Sequence, residues 1–370
     1  MRRLSLFGCL LLLVSLTWEP AQPLPAQTRD VPAVQVFFGP KAADDQHSLL
    51  FNLLRFLDTG KRSIYGCVHE VDMIVVAEKL VEKAKSGVDV QLVVENDWWN
   101  GAKNKAARQV LERGKVKVFP DTKKSGLMHN KFFVVDGQRV WTGSTNLTET
   151  CLLYNPNNSL WIEDQRIAEN YFAEFDEERS GKFGKKASGK NNTPHPDLTL
   201  TGGLRIETYF SPEDEPIPAI VRLIDSAEQR IDLMCFVFSS REICDALLAA
   251  HKRGVKVRVL LDNVFSSEAV TKRWACVPFK ELKSAGVPCK YDDENSKLHH
   301  KVIIVDGQRV LTGSFNFSAN AANENDENAL ILHSRAVARQ YAAEFERLWN
   351  YYNGEPGQPP PPEKGDGDGV

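Results

Sequence analysis

The sequence lacks an excess of charge of either sign, because 46 basic residues stand against 49 acidic ones and leave a net charge of −3. A uniformly basic surface of the kind that wraps nucleic acid is therefore excluded, although a local basic groove is not. The sequence also lacks an apolar run of the roughly 20 residues that a membrane-spanning helix needs. With 42% hydrophobic and 26% charged residues, the 370-residue chain has the composition of a globular protein of about two domains.

The N-terminal residues have the pattern of an export signal. Arg2 and Arg3 precede an apolar segment from Leu4 to Leu16, and a Leu-Pro-Ala sequence ending at Ala26 offers a cleavage site. We therefore predict that residues 1–26 are a signal peptide and that the protein is exported, either to a periplasm or as a secreted protein. An uncleaved membrane anchor is the alternative.

Cysteine is scarce, with seven residues in the chain and six of them beyond residue 26. Cys67 and Cys235 lie in apolar, strand-like runs, which favours buried free thiols. Export would permit disulfide bonds, and the sequence does not fix their pairing. Cys276 and Cys289 flank one short helical segment and are the first pair to consider.

One motif occurs twice. The first copy runs from His129 to Asn146 and the second from His299 to Asn316, with every match displaced by 170 positions. Each copy reads His-x-Lys, four apolar residues, Asp-Gly-Gln-Arg-Val and then Thr-Gly-Ser-x-Asn. A long match at one constant offset predicts a duplicated domain.

The flanks of the two motifs repeat as well. The predicted helices are 45–57, 80–85, 167–177, 217–227, 243–252 and 335–349, and the predicted strands are 63–68, 88–94, 230–238 and 255–261. Strands that alternate with helices predict an α/β fold. We place the two domains at 33–178 and 204–350, joined by a basic linker at 179–203. The Pro- and Gly-rich tail at 351–370 is predicted to be disordered.

The motif predicts a polar cluster in each half. His129 and Lys131 are two residues apart on a strand and so share a face. An Asp-Gly turn at Asp136, which we interpret as structural, returns the chain and brings Ser144 and Asn146 towards that face. The corresponding residues of the second copy are His299, Lys301, Asp306, Ser314 and Asn316. An ammonium, a hydroxyl and an amide suit a phosphate, and an imidazole can attack it or move a proton.

Two copies of HxKxxxxD followed by GSxN resemble the phospholipase D superfamily, and the resemblance covers nearly all of residues 35–350. It implies two tandem α/β sandwich domains related by a pseudo-twofold axis, with one shared active site. One histidine would form a phosphohistidine, while the other would protonate the leaving alcohol and then activate water. No cofactor and no metal is implied, because two lysines and two asparagines supply the electrostatic stabilisation. The sequence also shows no clustered carboxylates of the kind used in two-metal sites.

The two halves differ at one informative position. Glu327 follows His299 at the same distance, 28 residues, at which Asn157 follows His129. Similar proteins pair the histidine of one half with the polar residue of the other, which implies that Glu327 orients His129 and Asn157 orients His299. A carboxylate stabilises the imidazolium form and so raises the basicity of the neutral imidazole. This favours His129 as the nucleophile and His299 as the general acid.

Three neighbouring residues have weaker claims to the site. His300 points to the opposite face of its strand from His299, so we interpret it as a bystander. Trp98 and Trp99 follow a predicted strand where substrate loops begin in similar proteins. They either touch the substrate or pack on the core.

The substrate is left open between a phospholipid and a nucleic acid. We predict a phosphoric diester hydrolase that cleaves phospholipid head groups, with an exported nuclease as the alternative and an inactive binding module as a further one. A basic stretch before the first motif could follow a phosphate backbone; it comprises Lys103, Lys105, Arg108, Lys115, Lys117, Lys123 and Lys124. The negative net charge argues against strong nonspecific binding of nucleic acid. Because both motifs lie in one chain, we expect a monomer.

Overall fold

The computed structural model describes residues 33–122, 125–184, 192–271, 276–292 and 297–352. The predicted signal peptide, Lys123, Lys124, most of the lysines of the predicted linker and the tail beyond residue 352 lie outside these ranges. The strands are β1 (Val34–Gly39), β2 (Ser63–Val68), β3 (Asp89–Val94), β4 (Lys117–Pro120), β5 (Lys131–Val135), β6 (Arg139–Gly143), β7 (Asn157–Glu163), β8 (Asp197–Thr199), β9 (Arg205–Ser211), β10 (Arg230–Cys235), β11 (Lys256–Leu261), β12 (Cys289–Tyr291), β13 (Lys301–Val305), β14 (Arg309–Gly313) and β15 (Glu327–His333). The helices are α1 (Leu49–Asp58), α2 (Ile74–Lys85), α3 (Asn96–Asn100), α4 (Lys105–Arg113), α5 (Glu149–Leu153), α6 (Gln165–Arg179), α7 (Pro216–Asp225), α8 (Arg241–Lys252), α9 (Glu268–Thr271), α10 (Pro278–Ser284), α11 (Ala319–Asn323) and α12 (Arg335–Tyr351).

The strands form two mixed sheets with the same internal order. The first sheet runs β1-β7-β6-β5-β2-β3-β4, and the second runs β12-β11-β10-β13-β14-β15-β9-β8. Read in opposite directions they match strand for strand, with β8 as an addition at one edge. In the first sheet β2, β3 and β4 form a parallel trio, and β5, the strand that carries the motif lysine, is antiparallel to β2. In the second sheet β10, β11 and β12 form the parallel trio, and β13 is antiparallel to β10. The predicted duplicated α/β fold is confirmed.

The helices lie in layers on both faces of the sheets. Helices α1, α2 and α4 bury apolar residues against one face of the first sheet, and α7, α8 and α10 do the same for the second. Helices α6 and α12 pack on the other faces, where one apolar cluster draws residues from both halves. Tyr171 of α6 and Tyr341 of α12 are fully buried there. Each large apolar side chain in these clusters contributes ~1.5–3 kcal/mol of stability. Within the described residues, no helix has both the length and the apolar character to cross a membrane.

Capping and side-chain exposure explain where the first two helices begin. Helix α1 starts at Leu49 because the Ser48 side chain accepts a hydrogen bond from the Phe51 amide. Helix α2 begins at Ile74, six residues before the predicted start. Its first residues, Ile74 and Val75, are exposed and therefore break the apolar periodicity on which the prediction depended.

The aspartate of each motif braces a turn at the end of the strand remote from the histidine. Asp136 and Gly137 have φ values of 55° and 66°, as the tight hairpin turn between β5 and β6 requires. The Asp136 carboxylate accepts hydrogen bonds from the amides of Lys61, Arg62 and Ser63. Although burial acts to raise it, these amides hold the pKa of Asp136 below its usual value. In the second half, Asp306 accepts from three successive amides in the same way.

Three sequence expectations need amendment. Asp197–Thr199 of the predicted linker forms β8, which pairs with β9, and α12 continues to Tyr351 in the predicted tail. The suggested Cys276–Cys289 disulfide is wrong, because all six cysteines of the described residues are free thiols. The Cys276 thiol donates to the Ser239 carbonyl oxygen at 3.2 Å and also interacts with the thiol of Cys244, a residue of α8. Cys67 and Cys235 are buried, as predicted.

Candidate active site

The two motifs meet at one edge of each sheet. Each motif histidine lies two residues before the start of a strand, β5 or β13, that is antiparallel to the first strand of the parallel trio. The histidines therefore lie at the edge where the parallel strands end, a common location for sites in α/β folds. The halves are joined there by backbone hydrogen bonds, since His129 N donates to Asp326 O and His299 N donates to Pro156 O, both at 2.9 Å.

Each histidine is oriented by residues of the opposite half. His129 Nδ1 lies 2.7 Å from Glu327 Oε2. His299 Nδ1 lies 2.9 Å from the Ser144 carbonyl oxygen and 3.1 Å from Asn157 Oδ1. Because both Nδ1 atoms have partners, Nε2 is the reactive nitrogen left on each ring. This is the crosswise arrangement expected from the spacing of Glu327 and Asn157.

Two buried lysines accompany the histidines. Lys131 and Lys301 are 3% and 1% exposed, and each Nζ donates to the carbonyl oxygen of its own motif histidine, at 2.5 and 2.8 Å. Among the residues that the structure describes, neither ammonium has a carboxylate within ion-pair distance. Burial lowers the pKa of Lys131 to about 7 and that of Lys301 to about 8.

Burial and these lysines also lower the pKa of both motif histidines well below the usual value. Four groups that become positively charged when protonated therefore lie together in one buried site. Such a cluster is unfavourable when empty and is stabilised by an anion. The arrangement therefore favours a negatively charged ligand and has the perturbed pKa values typical of functional sites.

The carboxyl group of Glu327 is fully buried. Burial raises the pKa of Glu327 to about 7, although Lys131 and the Asn325 amide favour its charged form. The same burial lowers the pKa of His129. The two groups consequently resist forming a full ion pair, and the imidazole is held mainly in its neutral form near pH 7.

The amides of Asn146 and Asn316 have the features of ligand-binding groups. Both side chains are buried, at 5% and 8% exposure, and neither Oδ1 atom has a hydrogen-bond partner among the described residues. Buried polar atoms without partners are rare in folded proteins and often mark a place where a ligand binds. The oxygen and nitrogen of an amide can exchange places by a flip, so each group can offer its NH₂ to a bound anion.

The two motif serines have a positioning role rather than the predicted direct contact with phosphate. Ser144 Oγ donates to Asn157 Oδ1 at 3.0 Å and so holds the residue that orients His299. Ser314 Oγ accepts from the Asn328 amide at 3.0 Å. Both hydroxyls are fully buried and are used within the fold.

A polar network behind the site ties the two sheets together. Thr142 Oγ1 donates to Asn328 Oδ1 at 2.9 Å, and Thr312 Oγ1 donates to Asn158 Oδ1 at 2.7 Å. His300 belongs to this network, because its Nδ1 accepts from Asn158 Nδ2 at 2.9 Å. His300, the residue before β13, is fully buried, and its Nε2 faces Glu344 of α12 at 3.7 Å. The interpretation of this histidine as a bystander agrees with its position.

The sequence analysis missed a third histidine in the site. The ring of His69, which follows β2, lies edge-on to His129 with centroids 4.7 Å apart. Trp98 lies against His69 at 6.0 Å and is 41% exposed, whereas Trp99 is buried in the core. Alignment of the strand ends of the two halves would have matched His69 with Phe236, which lies 4.7 Å from His299.

Exposed apolar side chains surround this edge of the sheets. The large hydrophobic residues that are exposed in the described part of the chain are Ile74, Val75, Trp98, Phe172 and Val264. All except Phe172 follow the ends of β2, β3 or β11, the edge at which the motif histidines lie. By contrast, the predicted basic stretch is divided. Lys103 and Lys105 lie on this side, while Lys117 begins β4 at the far end and pairs with Asp89 at 2.9 Å.

Comparison with known proteins agrees with this geometry. The family model described as cardiolipin synthase, PLD-like domain, matches residues 53–179 and again residues 220–349. A mitochondrial cardiolipin hydrolase of Xenopus tropicalis is 36% identical over 140 residues, which are 38% of this chain and 64% of that protein. A phospholipase D of Rickettsia felis is 34% identical over 155 residues, which are 42% of this chain and 74% of that protein. Each alignment spans about two fifths of the chain, and less than two thirds of the Xenopus protein is covered.

The fold also recurs over the full length of the duplication. The crystal structure of phosphatidylserine synthase from Haemophilus influenzae Rd KW20 has a TM-score of 0.63 and 15% identity, with 86% of each chain covered. The molecule is therefore a duplicated α/β protein in which two His–Lys motifs meet at one candidate site. The chain belongs to the phospholipase D superfamily, and the predicted phosphoric diester hydrolase agrees with relatives named phospholipase D and cardiolipin hydrolase.

Proposed function

We propose that this protein hydrolyses the head-group phosphodiester of phospholipids through a phosphohistidine on His129. One observation carries the proposal. Two buried histidines, each fixed through Nδ1 by the opposite half, lie beside two buried lysines and two asparagine oxygens that have no partner among the described residues. A nucleophile, a separate acid and donors for the phosphoryl oxygens are the parts that a two-step displacement at phosphorus requires.

The first step forms the covalent intermediate. His299 is the acid in its imidazolium form, which the anionic phosphate of the bound substrate stabilises against the burial that lowers the pKa of this ring. His129 Nε2 attacks phosphorus, the bond between phosphorus and the head-group oxygen breaks, and His299 gives the proton on its Nε2 to that oxygen. Lys131, Lys301 and the two asparagine amides stabilise the negative charge on the non-bridging oxygens. Neutral His129 is the form able to attack, which the burial of its ring favours.

The second step regenerates the enzyme. A water molecule occupies the place of the departed alcohol, and His299 Nε2 removes one of its protons as the oxygen attacks phosphorus. The bond between phosphorus and His129 breaks, and the phosphate monoester leaves. His299 then carries the proton that it needs for the next turnover.

The apolar edge favours a lipid over a nucleic acid. Trp98 and Val264 are 41% and 52% exposed at the site, and exposed apolar groups gain by entering a lipid surface. A nucleic-acid substrate would be favoured by a continuous basic surface, and the basic stretch does not provide one. The exposed Lys105 and Trp98 at the site are the observations on which a nuclease remains the second candidate.

A paired assay tests the proposal. Purified protein is incubated in EDTA with phosphatidylcholine in mixed micelles or with single-stranded DNA. His129→Ala serves as the inactive variant, and His195→Ala, which alters an exposed histidine outside the motifs, is the matched control. We expect choline release that survives EDTA, disappears in His129→Ala and persists in His195→Ala. DNA cleavage with that dependence would instead establish the nuclease, and loss of activity in EDTA would refute the mechanism.

A further inference from the structure

The two halves of the site differ in the ring that packs against the motif histidine. The first residue after β2 is His69, and the first after β10 is Phe236. Their backbones are equivalent, because His69 N donates to Asn130 O and Phe236 N donates to His300 O, at 3.0 and 2.9 Å. Each ring lies 4.7 Å from its motif histidine. Among the described residues, His129 therefore has a second protonatable ring in contact with it, whereas the ring against His299 is that of a phenylalanine.

The surroundings of His69 fix its protonation chemistry. Its Nδ1 lies 3.1 Å from the Met128 carbonyl oxygen, which can only accept, so Nδ1 carries a proton. Its Nε2 lies 3.4 Å from Glu70 Oε1, and the ring is 5% exposed. Burial, and after it the charge of Lys131, lowers the pKa of His69, while Glu70 and the Met128 carbonyl oppose this shift; the pKa of His129 is lowered well below its usual value. Lys131 and Lys297 both act on Glu70.

The carboxylate partners of His129 and His69 differ in their pKa. Burial raises the pKa of Glu327, the partner of His129, to about 7. Burial also acts to raise the pKa of Glu70, but His69 and the lysines outweigh it and hold this pKa below its usual value. Below neutral pH, Glu70 is therefore an anion while Glu327 has lost much of its charge. A proton that enters the site is then better stabilised on His69 than on His129.

We propose that His69, held by Glu70, is a positioning residue that takes up the first proton entering the site and so keeps His129 unprotonated and able to attack. The inference rests on the proposed function in that it takes His129 as the nucleophile. A charged His69 in contact with His129 opposes a second charge there. Lys131, Lys301 and His299 face His129 from the other elements and act in the same direction.

Two substitutions separate charge from packing. His69→Phe installs the residue that the other half uses and removes both the charge and the hydrogen bond to Met128. His69→Gln keeps an amide donor for the Met128 carbonyl and cannot titrate. His195→Gln is the matched control, because it removes an exposed histidine paired with Glu169 at 2.8 Å.

The first readout is the pH dependence of kcat/KM for choline release. We expect the acid limb to move to higher pH by about one unit in both His69 variants, with the alkaline limb unchanged. The plateau value should fall less in His69→Gln than in His69→Phe. The profile of His195→Gln should coincide with that of the wild type. An acid limb that stays in place in His69→Gln would show a purely structural role and overturn the proposal.

The second readout needs no substrate and so separates this proposal from the proposed function. The eight histidines are labelled with ¹³C at Cε1 and titrated by NMR, with His69 and His129 assigned from their variants. We expect His69 to titrate at higher pH than His129, and His129 to take up its proton at higher pH in His69→Gln. The reverse order of titration would overturn the inference even in an active enzyme. The expected order would support it even if the lipid were not the substrate.

Discussion

Replacing Lys301 by Met should make the empty protein more stable while abolishing its activity. The Lys301 side chain is 1% exposed, and its ammonium donates to the His299 carbonyl without a carboxylate at ion-pair distance among the described residues. Methionine keeps most of the apolar stem and removes the charge that burial penalises. The substitution therefore separates what the lysine contributes to the fold from what it contributes to the site.

The size of the effect follows from the pKa of Lys301, which burial lowers from 10.5 to about 8. At 1.36 kcal/mol per unit, holding this charge in the fold costs about 3 kcal/mol at pH 7. A base whose pKa is depressed on folding destabilises the protein below its folded pKa. That penalty disappears as pH rises through the folded and then the unfolded pKa. The gain in Lys301→Met should thus be largest below pH 8 and vanish near pH 10.5.

Urea unfolding at pH 7 and pH 10 measures this difference for the wild type and the variant. Inorganic phosphate should stabilise the wild type at pH 7 and leave Lys301→Met nearly unaffected, because the bound anion needs the ammonium. The matched control is Lys117→Met, which removes an exposed lysine paired with Asp89 far from the site. A variant that is less stable than the wild type at pH 7, with no dependence of the difference on pH, would refute the reasoning.

Three further outcomes are expected. In His299→Ala, a substrate with a p-nitrophenol leaving group should give a burst of p-nitrophenol and leave a phosphoryl group on His129. A phosphoryl group on any other residue of that variant would contradict the assignment of the nucleophile. Asp306→Ala should lower the free energy of unfolding by about 1–3 kcal/mol, because three backbone amides lose their acceptor. The kcat per folded molecule should be retained, and a large loss of kcat would show that Asp306 takes part in the reaction. Trp98→Ala should lower kcat/KM several-fold on micellar phosphatidylcholine and leave a soluble short-chain phosphodiester unaffected, and equal losses on both substrates would contradict a role at the lipid surface.

Much of the fold could be predicted because the signals are local. Strand 63–68 coincides with β2, and the Asp-Gly turns have the positive φ that their sequence requires. The constant offset between the motifs predicted the duplication without any knowledge of packing. By contrast, β1 is an edge strand whose partner, β7, is distant in the sequence, and β8 has three residues, too few to show a periodic pattern. The sulfur neighbour of Cys276 was also missed, because it is set by the packing of α8.

The same distinction between local signals and tertiary contacts applies to the site. His129, Lys131 and Asn146 are named by their motif. The spacing in the two halves makes Glu327 equivalent to Asn157, and the resemblance to similar proteins implied that Glu327 pairs with His129. His69 lies outside the motif, and its importance arises from a contact with His129 that exists only after β2 and β5 have paired. A residue with no motif of its own can be recognised from sequence only by aligning the repeated halves around it.

The duplication produces two lysines, two asparagines and two histidines. In a symmetric set of this kind, nothing distinguishes the histidine that attacks from the histidine that donates a proton. The assignment requires that the environments differ. Glu327 and His69 both lie against His129, whereas His299 has the neutral partners Asn157 and Phe236. Both substitutions that break the symmetry therefore act on the same ring. They add proton-binding groups around His129, whereas the corresponding partners of His299 carry no charge. Two chemically identical side chains thereby acquire different protonation behaviour within one site.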